Sequence, residues 1–276
     1  MSISGFGQTG PLAHRPAYDI IVQAMSGLME ATGEPEGPPT MVGEAVSDVI
    51  AGLFASWATL AALLQQRRTG QGQHVDVAMF DATLAFLVTG VGRYLFTGES
   101  ARRSGNRHSF SAPFGVYRAR DGHFALAVLN NKLFATLAAL IGVPGFAQDA
   151  RFATNPQRVA HRSVLIPLLR QTTVMRTTAE WVSALEQADV PCGPVNRLDE
   201  VFADPQVQAR GIQVDLPHPL GTVATVASPV RLSATPVQYR RPPPLLGQHT
   251  QEVLHDWLQS PLADPTESTP LAPATS

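Results

Sequence analysis

Gly43-Glu44-Ala45-Val46-Ser47-Asp48, followed by Val49-Ile50-Ala51-Gly52-Leu53-Phe54 and an apolar run to Arg67, is the stretch on which the fold turns. A Pro-rich segment from Gly37 precedes it, and Arg67-Arg68-Thr69-Gly70-Gln71-Gly72-Gln73 leads out of it into the alternating His74-Val75-Asp76-Val77-Ala78-Met79. The apolar run predicts a long helix over 49–67. Thr69 and Gly70 stop it, Gly being suited to the left-handed position that ends helices. The alternation predicts a strand over 74–79. Asp48 then falls at the helix start, where a carboxylate accepts backbone N–H groups of the first turn and is favoured by the helix dipole. A carboxylate held there stays ionised, as attack on an acyl carbon demands. A plain helix cap is the other reading of the same residue.

Working outward, residues 3–11 read as a strand end and a loop punctuated by Gly5, Gly7, Gly10 and Pro11. That loop is either a plain turn or a backbone edge of a site. Ile20, Ile21, Ala24, Met25 and Leu28 recur at helical spacing and predict a helix over 19–29. A second apolar helix is predicted over 81–95. Residues 114–117 and 123–129 read as strands about an Arg120-Asp121-Gly122 turn. Asn130 or Asn131 caps a helix to about Ile141, and Thr177-Thr178-Ala179-Glu180 is a capping box opening a helix to about Ala188. Asp204-Pro205 starts a further helix. Residues 212–237 read as β-structure with a Pro-Leu-Gly turn, 248–259 as a final helix, and 260–276 as a disordered tail rich in Pro, Thr, Ser and Ala. No internal repeat is apparent.

Composition narrows the class. The 276 residues suffice for one large or two modest domains. A net charge of −2 with 15% charged residues offers no basic face to nucleic acid. The single cysteine, Cys192, forbids an internal disulfide and suits a reducing compartment, with cytoplasm the default. It sits between prolines without an activating base beside it and reads as a structural thiol. Eight His residues lack metal-ligand spacing, and Asp76 and Asp81 read as solvent-facing and capping residues; no metal is expected. The N-terminus lacks the charged and apolar regions of a leader. The stretch 49–64 falls short of a membrane-spanning length and reads as a buried core helix. Arg67 and Arg68 complement the helix C-terminus.

The run 37–82, containing SDVIAGLFASWATLAALLQQRRTGQGQHVDVAMFDA, resembles the family III CoA-transferases, the group of formyl-CoA transferase and carnitine CoA-transferase. The similarity continues through GNRHSFSAPFGVYRARDGHFALAVLNNKLF, RFATNPQRVAHR, ADVPCGPVNRLDEVFADPQVQARG and GQHTQEVL, covering about 3–258 in order. The resemblance implies an α/β fold. It places part of the family's large domain at 1–104, a small α+β domain at 105–189, a linker and return to the large domain at 190–259, and the tail at 260–276. SISGFGQTGP lies well inside family members, after a Rossmann-like half that supplies much of the CoA surface. Here it follows Met1 directly, and no Walker-type loop replaces that half. The expectation is therefore a fragment, or a chain whose missing half is a separate polypeptide. Family members form interlocked homodimers, so a homodimer is expected. The partners implied are an acyl-CoA and a small carboxylic acid, without nucleic acid or membrane. CoA thioester is substrate, and no cofactor is expected.

In that family the Asp matching Asp48 is the nucleophile, carrying first a mixed anhydride and then an aspartyl-CoA thioester. The implied activity is CoA transfer between a donor acyl-CoA and a carboxylic acid. An inactive or partner-dependent fragment is the alternative. The related α-methylacyl-CoA racemases place a His where this chain has Tyr18. A phenol is a weaker base than imidazole at neutral pH, so a racemase-like isomerase is the weaker reading. Tyr18 can instead donate a hydrogen bond to a carbonyl or carboxylate, or simply pack beside Pro16. Asp19 either orients a substrate or caps the helix that follows it. Ser104-Gly105-Asn106-Arg107-His108 stands where formyl-CoA transferase has a poly-Gly flap, and looks like the branch using succinyl-CoA and dicarboxylic acids. Gly105 and Asn106 are candidate flap residues. Arg107 or His108 meets a second carboxylate in one reading and forms a surface turn in the other.

Overall fold

A computed structural model describes residues 1–258 of the chain, and the expected 260–276 tail lies outside the described residues. The chain divides into two units, the first Met1–Val195 and the second beginning at Asn196. The first opens with β1 (Ser2–Ser4), α1 (Asp19–Met25), α2 (Leu28–Ala31), α3 (Val46–Thr69), β2 (Asp76–Ala78), α4 (Met79–Phe86) and α5 (Val88–Thr97). β1 and β2 pair in parallel, Ser2 opposite Asp76 and Ser4 opposite Ala78. That pairing requires a crossover, which here includes the three helices between the strands. Val22, Ile50, Ala51, Met79 and Ala82 bury together and fasten α1, α3 and α4 into one core.

A second core follows within the same unit. β3 (Phe114–Arg118), β4 (His123–Ala127) and β5 (Cys192–Pro194) form an antiparallel sheet in the order β3-β4-β5. Against it lie α6 (Asn131–Leu140), a 3-10 turn (Pro144–Ala147), α7 (Asn155–Ala160), α8 (Arg162–Thr173) and α9 (Thr178–Gln187). Phe124 and Leu126 point inward from β4 while His123 and Ala125 point out, the period-two alternation of a half-buried strand. They meet Phe134, Phe152, Leu165, Leu169, Trp181 and Leu185. Each such side chain contributes roughly 1.5–3 kcal/mol by leaving water. Trp181 stacks on Phe124 at 5.9 Å and donates its indole N–H to the Thr173 carbonyl at 2.7 Å.

The second unit, taken by itself, contains α10 (Leu198–Ala203), α11 (Pro205–Ala209), the hairpin β6 (Gln213–His218) and β7 (Gly221–Val226), and α12 (Thr250–Leu258). Asp204 caps α11 through the Gln206 N–H, with Pro205 at the first helical position, as the sequence indicated.

Several expectations are corrected. The helix expected over 19–29 is two helices, because Gly27 adopts a left-handed φ of 86° between them. The second apolar helix breaks at Leu87, and α4 and α5 bend by 78°. β-structure stops at Val226 instead of reaching residue 237. α3 begins at Val46, three residues early, and its 24 residues are long and apolar enough to cross a membrane. It is not a buried core helix among the described residues. Ser47, Ile50, Ala51 and Ala55 are buried, but Val49, Leu53, Trp57, Leu60 and Leu64 form an outward stripe, each 57–68% exposed.

Candidate active site

Asp48 is the third residue of α3, not its cap. The cap position falls on Ala45, whose side chain cannot accept a hydrogen bond. The carboxylate that caps this helix comes from another element. Asp19, the first residue of α1, accepts the Ser47 N–H on Oδ1 at 2.8 Å. Asp19 thus caps neither its own helix nor a free site, but the turn that carries Asp48. Asp48 itself is exposed, and its carboxylate makes no hydrogen bond among the described residues. It lies in the first turn, where the positive end of the helix dipole favours an anion.

Gln23 holds this arrangement together. It is fully buried, and its Oε1 accepts the Val42 N–H at 2.9 Å. Its Nε2 donates to Asp19 Oδ2 at 2.6 Å and, at 3.3 Å, to the Glu44 carbonyl. One side-chain amide therefore fixes both the capping carboxylate and the strand of loop entering α3. A Gln one turn after Asp19, on the apolar face of α1, was the available sequence signal, because a polar group there needs partners. Ser47 is also buried, and its Oγ has no hydrogen-bond partner among the described residues.

Tyr18 precedes Asp19 with its side chain 80% exposed, so it does not pack beside Pro16 as an anchored ring. Its carbonyl accepts from the Ile21 and Val22 N–H groups and starts α1. The glycine loop comes against this point. A Cβ on Gly5 would lie 2.4 Å from the Ala17 Cβ, a distance only Gly avoids. Gly5 also accepts the Phe80 N–H at 3.0 Å, and Asp76 accepts the Gln8 N–H at 3.0 Å. The structure thus gathers residues 5, 17–19, 42–44 and 47–48.

Gly105 and Asn106 are placed on a different part of the same entry loop. Gly105, with φ of 62°, donates its N–H to the Gly33 carbonyl at 2.8 Å, and a Cβ there would stand 2.6 Å from the Glu34 carboxylate. The Asn106 carbonyl accepts the Val116 N–H at 2.9 Å. The segment is therefore pinned from both sides, and no hydrogen bond joins it to Asp48 among the described residues. His108 stacks on Phe114 at 4.7 Å, and Arg107 lies 3.9 Å from Glu34. Cys192 is partly buried, its thiol 3.7 Å from the Val182 carbonyl, and burial followed by the Glu186 charge pushes its pKa up. That environment suppresses the thiolate. Among the described residues no group of three His, Cys, Asp or Glu is arranged to hold a metal.

The CoA-transferase family III description matches residues 1–250. A succinate–glutarate CoA-transferase of Agrobacterium fabrum is 44% identical over 92% of this chain and 64% of its own length. A succinyl-CoA:glutarate CoA-transferase of Mus musculus is 37% identical over 94% of this chain and 59% of its own length. The chain thus spans about three fifths of the length of the curated relatives it matches. A crystal structure of a CaiB/BaiF family protein from Brucella suis superposes with a TM-score of 0.81 at 39% identity, covering 91% of this chain and 66% of that one.

Proposed function

Given that the chain belongs to CoA-transferase family III, we propose that it serves CoA transfer between an acyl-CoA and a carboxylic acid, with Asp48 as the nucleophile. The observation that carries this reading is the division of labour at the start of α3. Asp19 caps the helix, which leaves the Asp48 carboxylate in the first turn without a structural partner among the described residues. An uncommitted, ionised carboxylate is what nucleophilic attack needs.

The chemistry balances on that one side chain. The Asp48 carboxylate attacks the thioester carbonyl of the donor, giving a mixed anhydride and CoA thiolate. The thiolate attacks the Asp48 acyl carbon, releasing the donor acid and leaving an aspartyl-CoA thioester. The acceptor carboxylate attacks that thioester, and the freed thiolate then attacks the acceptor acyl group, restoring Asp48. Negative charge builds on a carbonyl oxygen in each step, so N–H or O–H donors must face it. Tyr18, exposed beside Asp19, offers such a hydroxyl. The names of the relatives support a dicarboxylic substrate of the succinate or glutarate type.

An anhydride survives only where water is excluded. The exposure of Asp48 and of the outer face of α3 favours activity that depends on further polypeptide, either the length of the relatives that this chain does not span or a partner. Incubation of the protein at the full length of its relatives, or of the chain with such a partner, with succinyl-CoA and hydroxylamine should leave a hydroxamate on the peptide containing Asp48, read by mass spectrometry. CoA exchange that survives Asp48→Ala would overturn the assignment. Solvent deuterium at the α-carbon of the acyl group would indicate the isomerase chemistry instead.

A further inference from the structure

A cavity of about 330 Å³ lies beside the antiparallel sheet and is lined by Arg107, Arg118, Arg170, His123, Asn106 and Glu34. Its basic groups come from four separate segments: β3, β4, α8 and the loop carrying Arg107. Arg118 ends β3 and pairs across the sheet with His123, the first residue of β4. Arg170 projects from the last turn of α8. Arg107 is held by a bridge to Gly115 and by donation from Nε to the Ser104 carbonyl at 3.0 Å.

Charge in this cavity is not balanced from within. Glu34 is its one carboxylate, mostly exposed and 3.9 Å from Arg107. Arg118 and Arg170 have no carboxylate within ion-pair distance among the described residues. Three guanidinium charges against one carboxylate leave two uncompensated, with His123 counted neutral. The buried Tyr117 phenol senses the cluster: burial raises its pKa strongly, while Arg170 and then Arg107 oppose the rise. Guanidinium groups brought together repel one another unless an anion joins them. Their planar forks match the paired oxygens of carboxylate and phosphate. The volume accommodates a small molecule.

We propose that this cavity binds a small dianionic oxyacid, a dicarboxylate or a phosphate monoester, between the guanidinium groups of Arg107, Arg118 and Arg170. The proposal does not depend on the role of Asp48. Dianion is the class favoured because two charges remain uncompensated and the donors converge from three directions.

Calorimetric titration of the chain with succinate, inorganic phosphate and acetate at fixed ionic strength tests it. Saturable one-site binding is expected for at least one dianion, and the tighter of the two identifies the source. Acetate should bind about tenfold more weakly or less, as expected when charge-assisted pairs are lost. Arg118→Gln and Arg170→Gln should each weaken binding by a similar factor. Neither should lower the thermal midpoint without ligand, since both side chains are exposed and unpaired among the described residues. Glu34→Gln removes the competing carboxylate and should tighten binding, a gain that misfolding cannot imitate. Failure of both dianions to bind, equal binding of acetate, or affinity unchanged in the Arg variants would overturn the site.

Discussion

Gln23 joins a capping carboxylate and two backbone groups from a fully buried position. Gln23→Leu keeps the volume but strands the Val42 N–H and one oxygen of Asp19. A buried group left unpaired costs about 1–3 kcal/mol, so the variant should lose about 3 kcal/mol in urea unfolding. Asp19→Ala removes the cap from α3 and should lose about 1 kcal/mol. If Asp48 is the nucleophile, Asp19→Ala should also reduce hydroxamate trapping, because the turn presenting Asp48 is no longer fixed. The sequence offered Asp48 as the cap of the long helix and Asp19 as a cap of the short one, whereas Asp19 caps α3 and Asp48 caps neither. Local pattern shows that an Asp sits near a helix start; it does not show which helix its oxygens reach. Asp19 lies 28 residues from the amide it caps, and only the packing of α1 on α3 brings the two together.

At the scale of elements, capping boxes were legible because both partners lie within one turn. Thr177 and Glu180 exchange side-chain and backbone bonds at the start of α9 as their spacing indicated. Thr154 and Gln157 do the same at α7 with the same spacing. The helix breaks at Gly27 and Leu87 were not legible, since apolar spacing runs across both. Element junctions also give this chain an acid sensitivity. Asp121, in the β3–β4 turn, accepts the Thr178 N–H and hydroxyl, which hold its pKa below the ordinary 3.8. Asp149 is held down to about 2, first by the Arg151 guanidinium and then by its N–H. Glu180 is lowered by the Thr177 N–H and hydroxyl. Depressed carboxylate pKa values contribute stability above the unfolded-state value and lose it as pH falls through the folded one. Stability should therefore decline below about pH 4 and continue falling toward pH 2, and Asp121→Asn should flatten part of that decline in acid titrations followed by circular dichroism. Gly115→Ala tests the anchoring of the 104–108 segment. A Cβ there would meet the Asn106 carbonyl at 2.3 Å, so the backbone must shift and amide exchange around Asn106 should accelerate.

For the molecule as a whole, the outward stripe of α3 is the unresolved surface. Val49, Leu53, Trp57, Leu60 and Leu64 recur at spacings of three and four on the side away from Ile50 and Ala51. An exposed apolar stripe of that kind marks a surface meant to be covered. The chain should bind a hydrophobic dye such as anilinonaphthalene sulfonate strongly in its folded state. Leu60→Glu with Leu64→Lys should reduce that fluorescence without loss of helical signal. The apolar run of α3 was readable as a helix from sequence, but its unburied side was not, because period alone cannot say whether a face finds a neighbour. The bond from Asp19 to the Ser47 amide has one more consequence. Since the first turn of α3 borrows its cap from α1, that turn is only as durable as the docking of the earlier helix. Hydrogen exchange at Ser47 should therefore track opening of residues 17–23 as one cooperative event, not fraying of α3 alone. Proteolysis or substitution in α1 would then disarm the segment bearing Asp48 without touching it.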